Sequence, residues 1–288
     1  MFYFLRKQSA CVIRIAHPLN RHPRAMHLTP SAFEPVEAID GNLACGLLLL
    51  CDHARNALPA EYGDLGLPPA QFERHIAYDI GVRPLTLELA RRLAAPALMT
   101  TFSRLLIDPN RGEDDPTLVM RLSDGAVVPG NARHDAAERE RRIAFYHRPY
   151  HDRIAATLDA MLEEAAPPVV VSIHSYTPVW RGTPRPWHAG LLWDKDPRAV
   201  TPVLEALSAD GTLVVGDNEP YDGALKNDTM YRHCTRRGLA HVLIEVRQDL
   251  IGDEAGVLEW ADRLEPILRS MITMPDLRQI RHHGSRAD

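Results

Sequence analysis

The chain has 288 residues, 45% of them hydrophobic, and a formal net charge of −5, which suits a sizeable buried core. That balance leaves no basic footprint for nucleic acid or an anionic membrane, and no apolar run is long enough to span a bilayer. Cys11, Cys45, Cys51 and Cys234 are irregularly spaced without a CxxC pair. Neither a disulfide framework nor a thiolate zinc site is indicated, and a reducing cytoplasm is the expected location.

Residues 1–30 hold Phe2-Tyr-Phe-Leu5 and several arginines, with no acid before Glu34. The apolar stretch is too short for a signal core, so it reads as a disordered extension with Met26 a candidate start. Residues 31–275 read as one α/β domain and 276–288 as a disordered tail. Ala32 to Asn42 reads as a surface lead-in, and Leu47 to Cys51 as the first strand. Pro59 to Pro69 is rich in turns. A helical pattern opens at Pro69 with Phe72, His75 and Ile76, breaks at Asp79 and Gly81, and resumes with Leu85, Leu89 and Leu93. Ala97 to Phe102 reads as a strand, and Gly112 to Asn131 as a long irregular segment. Ala136 to Glu164 reads as a long helix that Pro149 should kink.

Two prolines then precede Val169-Val-Val-Ser-Ile-His174, an apolar run suited to a strand buried on both faces. A loop with Trp180 and Trp187 follows; it is a candidate lid. Further strands are expected at Ala189 to Trp193, Leu213 to Val215 and His241 to Arg247. Helices are expected at Pro197 to Ser208, around Met230, and at Glu254 to Met271. Strands alternating with helices imply a mostly parallel mixed sheet with helices on both faces. Cys51-Asp-His-Ala-Arg-Asn56, after the first strand, has neither GxGxxG nor GKS/T, which argues against a nucleotide fold.

Three strands end in ionisable groups, His53, His174 and Glu245, at the carboxyl ends where open α/β sheets bind ligands. Hydrolytic zinc keeps three protein ligands and an open position, and two imidazoles with one carboxylate suit it. His53 and His174 supply the imidazoles. Asp79 is the first candidate for the carboxylate, with helix capping before Val82 the equal alternative. Asp52 is a rival, but its side chain should point to the face opposite His53. Glu245 is then free to act as general base, or to pair with Arg247 two residues on. Arg104, Arg111 and Arg247 lie at strand ends or adjoining loops, and guanidinium suits two-pronged recognition of a carboxylate. Asn110, Ser175, Asn218 and Tyr221 are further candidate substrate contacts. His147 and His151 have ligand spacing without HExxH, so packing and hydrogen bonding behind the site are expected of them.

Cys51-Asp-His-Ala-Arg-Asn56, Asp79, Arg104-Leu-Leu-Ile-Asp-Pro-Asn-Arg111, Tyr146-His-Arg-Pro-Tyr-His151, Ser172-Ile-His-Ser175, Asn218-Glu-Pro-Tyr221 and Ile244-Glu-Val-Arg-Gln-Asp-Leu250 together resemble the N-formylglutamate amidohydrolases. The resemblance runs from about Leu47 to Met271. It implies a fold similar to zinc carboxypeptidases and peptidoglycan amidases, one zinc on His53, Asp79 and His174, and Glu245 as the assisting carboxylate. It also implies hydrolysis of N-formyl-L-glutamate to formate and L-glutamate in histidine breakdown; an arginine, with Arg104 the candidate, is expected to steady the developing oxyanion. The position three after His53, where carboxypeptidases place an acid, is Asn56. Many members read Pro-His-Ser-Gly where this chain reads Asp52-His-Ala-Arg, which suggests a side branch with a different acyl amino acid. The expected partner is a small N-acyl amino acid, and the expected state a monomer or small homo-oligomer. The competing readings are a peptidoglycan-type amidase or carboxypeptidase, and a metal-free protein that binds small carboxylates.

Overall fold

A computed structural model describes residues 33–132 and 134–288; the extension read over 1–30, with Cys11 and Met26, lies outside them. In chain order the strands are β1 (Val36–Ile39), β2 (Leu47–Cys51), β3 (Ala97–Thr100), β4 (Leu122–Ser123), β5 (Ala126–Val127), β6 (Val169–Tyr176), β7 (Val179–Trp180), β8 (Thr183–Pro184), β9 (Ala189–Leu192), β10 (Val215–Asp217) and β11 (His241–Arg247). The helices are α1 (Val82–Leu93), α2 (Pro129–Ala132), α3 (Ala136–Arg142), α4 (Arg148–Glu164), α5 (Val200–Ala209), α6 (Thr229–His233) and α7 (Glu254–Met271).

Seven strands form one sheet in the order β1-β3-β2-β6-β11-β9-β10, and β4-β5 and β7-β8 are separate hairpins. β3, β2, β6 and β11 are mutually parallel, while β1 and β9 join antiparallel at β3 and β11. The fold is therefore α/β with a mostly parallel mixed sheet. A strand covered on both faces must be apolar at every position. Leu47, Leu49, Val169, Val171 and Ile173 accordingly pack with Leu85 and Leu89 of α1 and Trp260 and Leu264 of α7. Leu48, Leu50, Val170 and Leu243 pack on the other side with Tyr150, Ile154 and Leu158 of α4. Each fully buried leucine contributes roughly 1.5–3 kcal/mol, whereas exposed ion pairs contribute about 0–1 kcal/mol. The two apolar layers hold the sheet.

Several expectations are corrected. The lead-in contains β1, which pairs along β3 with Val36 buried. From Pro69 only a 3₁₀ turn forms, over Pro69–Gln71. Its would-be helical carbonyls are taken from elsewhere: Asn56 Nδ2 donates to Phe72 O (2.9 Å) and Ser103 Oγ to Ala77 O (2.8 Å). Where Pro149 was expected to kink one long helix, a π turn over Ile143–His147 joins α3 to α4. Proline has no N–H for the ladder, and the π turn sits just before it. The tail is held rather than disordered. Leu277 is buried in the core, Arg278 donates to the carbonyls of Ala166 and Pro167, and Arg286 ties to Asp194 and Asp222.

Candidate metal centre and active site

The parallel strands bring their carboxyl ends to one edge of the sheet, and the register sets Glu245 opposite His174. His53 leaves β2 beside them. His53 Nδ1 lies 3.3 Å from Asp79 Oδ2, and His174 Nδ1 lies 3.0 Å from the same oxygen. All three side chains are buried, with a ligand atom from each within 4.8 Å of the others.

Asp79 does not cap α1. The cap position is Gly81, at φ 82°, with no side-chain bond to the helix. A Cβ there would lie 2.1 Å from Ile251 O, so glycine lets the chain turn from Asp79 directly into α1. The Asp79 carboxylate instead accepts from Ser175 N–H (3.3 Å) and Arg104 Nη1 (3.4 Å), besides facing both imidazoles. Of the two readings of Asp79, the geometry removes the cap and sets the carboxylate beside both imidazoles.

The far nitrogen of each imidazole meets a second carboxylate. His53 Nε2 is 2.8 Å from Asp108 Oδ1, and His174 Nε2 is 2.8 Å from Asp52 Oδ2. Each acceptor holds a proton on Nε2 and leaves the Nδ1 lone pair for the centre, as metal-binding histidines require. Asp52 is fixed by Ser172 and Thr229, and Asp108 by Arg104 (2.7 Å) and the Asn110 N–H (3.0 Å). Asp52 is thus a support for His174, not a ligand. These supporting roles were missed in the sequence; the available signal was an aspartate ending each apolar run, at Asp52 and Asp108.

A positive charge, whether a proton or a metal ion, is needed between these Nδ1 atoms and the carboxylate oxygen they share. Burial would raise Asp79, Asp52 and Asp108, yet all three are held below the ordinary carboxylate range, Asp79 and Asp52 by the charges and hydrogen bonds of the imidazoles and Asp108 chiefly by the Arg104 guanidinium. Burial would likewise lower His174, but hydrogen bonds to Asp52 and Asp79 raise it well above its usual value. Ionised carboxylates around two imidazoles form a field that favours a cation. His53, Asp79 and His174 can therefore hold a metal.

A cavity of about 420 Å³ opens over this group, with Glu245, Arg104, Arg111, Asn110, Ser175 and Tyr221 in its wall. Burial pushes Glu245 up to about 7, and its Oε2 has no hydrogen-bond partner among the described residues. Arg104 is anchored by Asp108 and Asp79. Arg111 donates only to the Asn110 carbonyl (2.8 Å) and has no carboxylate partner among the described residues. Two expected contacts lie elsewhere. Asn218 Oδ1 accepts the N–H groups of Trp193 and Gly223 (3.0 Å each), which fixes its own loop. Arg247, the last residue of β11, turns to Asp249 (2.8 Å) and the carbonyls of Arg185 and Trp187. It pairs with Asp249 rather than with Glu245.

Behind the Asp108–Arg111 loop lie three histidines. His147 Nε2 donates to Arg111 O (2.9 Å) and His151 Nε2 to Pro109 O (3.0 Å). Carbonyls only accept, so His151 Nδ1 is a lone pair and takes the proton of His233 Nε2 at 2.9 Å. All three rings are then neutral, and burial lowers His147, His151 and His233, the last to about 3. His147 and His151 thus serve packing and hydrogen bonding, as expected, and the relay adds His233. At the cavity mouth Trp180 of β7 meets His75 edge to face, with centroids 6.0 Å apart. Trp187 lies outside the cavity wall, its carbonyl accepting from Tyr176 Oη (2.5 Å).

The family profile described as N-formylglutamate amidohydrolase matches residues 45–252. The chain belongs to that family. It is therefore an enzyme acting on an amide, an amidohydrolase of N-acyl amino acids. Among solved structures, gene product Atu2144 from Agrobacterium tumefaciens superposes with a TM-score of 0.78 at 30% identity, over 85% of this chain and 97% of that one. The N-formylglutamate amidohydrolase of Ralstonia eutropha JMP134 superposes with a TM-score of 0.60 at 22% identity, over 83% and 97% of the two chains. That likeness shows the shared fold. No curated protein sequence matches this chain. No helix among the described residues is long and apolar enough to cross a membrane.

Proposed function

We propose that the protein is a zinc-dependent amidohydrolase that cleaves N-formyl-L-glutamate to formate and L-glutamate. The observation that carries this reading is a buried His53–Asp79–His174 set beside Glu245, a buried carboxylate with an unpartnered oxygen. Two imidazoles and one carboxylate are a hydrolytic zinc donor set. His53, Asp79 and His174 would hold the zinc ion, which would supply Lewis acidity to the reaction.

The chain's own groups do the rest. Glu245 Oε2 takes a proton from the water that attacks the amide carbonyl carbon, then delivers it to the nitrogen as that bond breaks. The acid form of Glu245 is accessible because burial has moved it to about 7, close to the working range of a proton shuttle. Arg104, anchored by two aspartates, steadies the negative charge that develops on the carbonyl oxygen, a kind of contact worth about 10²–10³ in rate. Arg111, with Asn110, Ser175 and Tyr221, holds a substrate carboxylate. The reaction suits cytoplasmic histidine breakdown by a monomer or small homo-oligomer.

Zinc-loaded protein should release formate and L-glutamate from N-formyl-L-glutamate, lose that activity to a chelator, and regain it with zinc. Release that survives full metal removal would overturn the zinc assignment. No release from any N-acyl amino acid would overturn the proposed reaction.

A further inference from the structure

The cavity does not stop at the metal centre. It continues along β11 from Glu245 past Leu243 to His241. Alternate residues of a strand share a face, so these three form one wall. Leu192, the register partner of Leu243 on β9, and Met230 of α6 bound the same space. Val242 and Ile244 on the other face are fully buried at 0%, whereas Leu192, Met230 and Leu243 keep 5–7% of their surface accessible. The space beneath α6 is lined by side chains rather than filled by them.

The chemistry of this arm is apolar. Leu192, Leu225, Met230 and Leu243 line it with no lysine or arginine among them. Of its polar groups, His241 donates from Nδ1 to Leu239 O (2.8 Å), and burial keeps it neutral. Asp228 caps α6 through the Tyr231 N–H (2.7 Å), and burial pushes its carboxyl up to about 7. A carboxylate entering the arm would give up its hydration against leucine and methionine side chains. An alkyl chain would lose only water. The whole cavity, metal centre included, is about 420 Å³, within the range of pockets that enclose ligands of drug size.

We infer that this arm takes an aliphatic group of the substrate several carbons long, so that the enzyme acts on N-acyl amino acids bearing an apolar acyl chain or side chain. The inference rests on the amidohydrolase reading of the same site. An alkyl group can reach the arm from either side of the scissile amide, and two homologous series separate the sources. One is N-acetyl-, N-butanoyl- and N-hexanoyl-L-glutamate. The other is N-formyl-L-alanine, N-formyl-L-norvaline and N-formyl-L-norleucine.

Affinities are read by calorimetry on the zinc-loaded Glu245→Gln protein, and hydrolysis on the zinc-loaded wild type. In one series affinity should rise about fourfold per methylene, as expected for full burial of each. Met230→Phe and Leu243→Phe, which fill the arm from separate elements, should each cut the ratio of longest to shortest ligand by roughly tenfold. Flat affinity in both series overturns the arm, even if the wild type hydrolyses N-formyl-L-glutamate. An unchanged ratio in whichever variants fold also overturns it. Rising affinity with no hydrolysis supports the arm and instead overturns the amidohydrolase reading.

Discussion

At the scale of single residues, the centre is defined as much by Asp52 and Asp108 as by His53, Asp79 and His174, the proposed ligands. Each fixes an imidazole through Nε2 at 2.8 Å, so that Nδ1 is the free donor. In Asp108→Asn the amide can present an N–H to His53 Nε2 and favour the wrong tautomer. Metal affinity should fall about 10–100-fold, measured by competition with a chromogenic chelator; an unchanged affinity would remove Asp108 from the account. His53, His174 and Glu245 were legible in the sequence because three apolar runs each end in an ionisable group that a buried strand interior would not accept. The direction of a side chain in a loop was not legible. Arg247 and Asn218 sit where substrate contacts were expected, yet local partners turn them away from the cavity.

At the scale of elements, sheet order follows from apolar runs with no alternation, which only a strand covered on both faces tolerates. The segment after Pro69 has helical spacing but not helical structure, because Asn56 and Ser103 take its carbonyls. No local pattern reveals bonds made by residues far away in the chain. The same holds for the π turn before α4 and its result, the alignment of His147 and His151 under the Asp108–Arg111 loop. Loss of the His147 donor should let Arg111 drift. His147→Leu should lower kcat/KM about 10–100-fold, mainly through KM, since small misplacements of a binding group are costly. His147→Gln, which keeps an N–H donor, should recover most of the loss. Equal kinetics in the two variants would show that the histidine only fills space.

At the scale of the whole molecule, the buried neutral histidines tie stability to pH. His151 and His233 are held below the unfolded value of about 6.5, chiefly by burial and then by neighbouring positive groups. Their contribution is therefore complete above about pH 6.5 and is lost as pH falls toward the folded value, about 3 for His233. Denaturant unfolding should show stability declining across that window. His233→Gln, which still donates to His151 but takes up no proton there, should flatten the decline. An equal slope in both proteins would assign the acid sensitivity elsewhere, for example to the depressed carboxylates below about pH 4.

The central claim joins a metal held by His53, Asp79 and His174 to a proton carried by Glu245. It is tested most directly by formate release from N-formyl-L-glutamate, comparing wild type with Glu245→Gln, each verified to hold one zinc per chain. The account predicts that the variant keeps its zinc and loses about 10²–10⁴-fold in kcat. A zinc-loaded Glu245→Gln protein that turns over as fast as the wild type would contradict it.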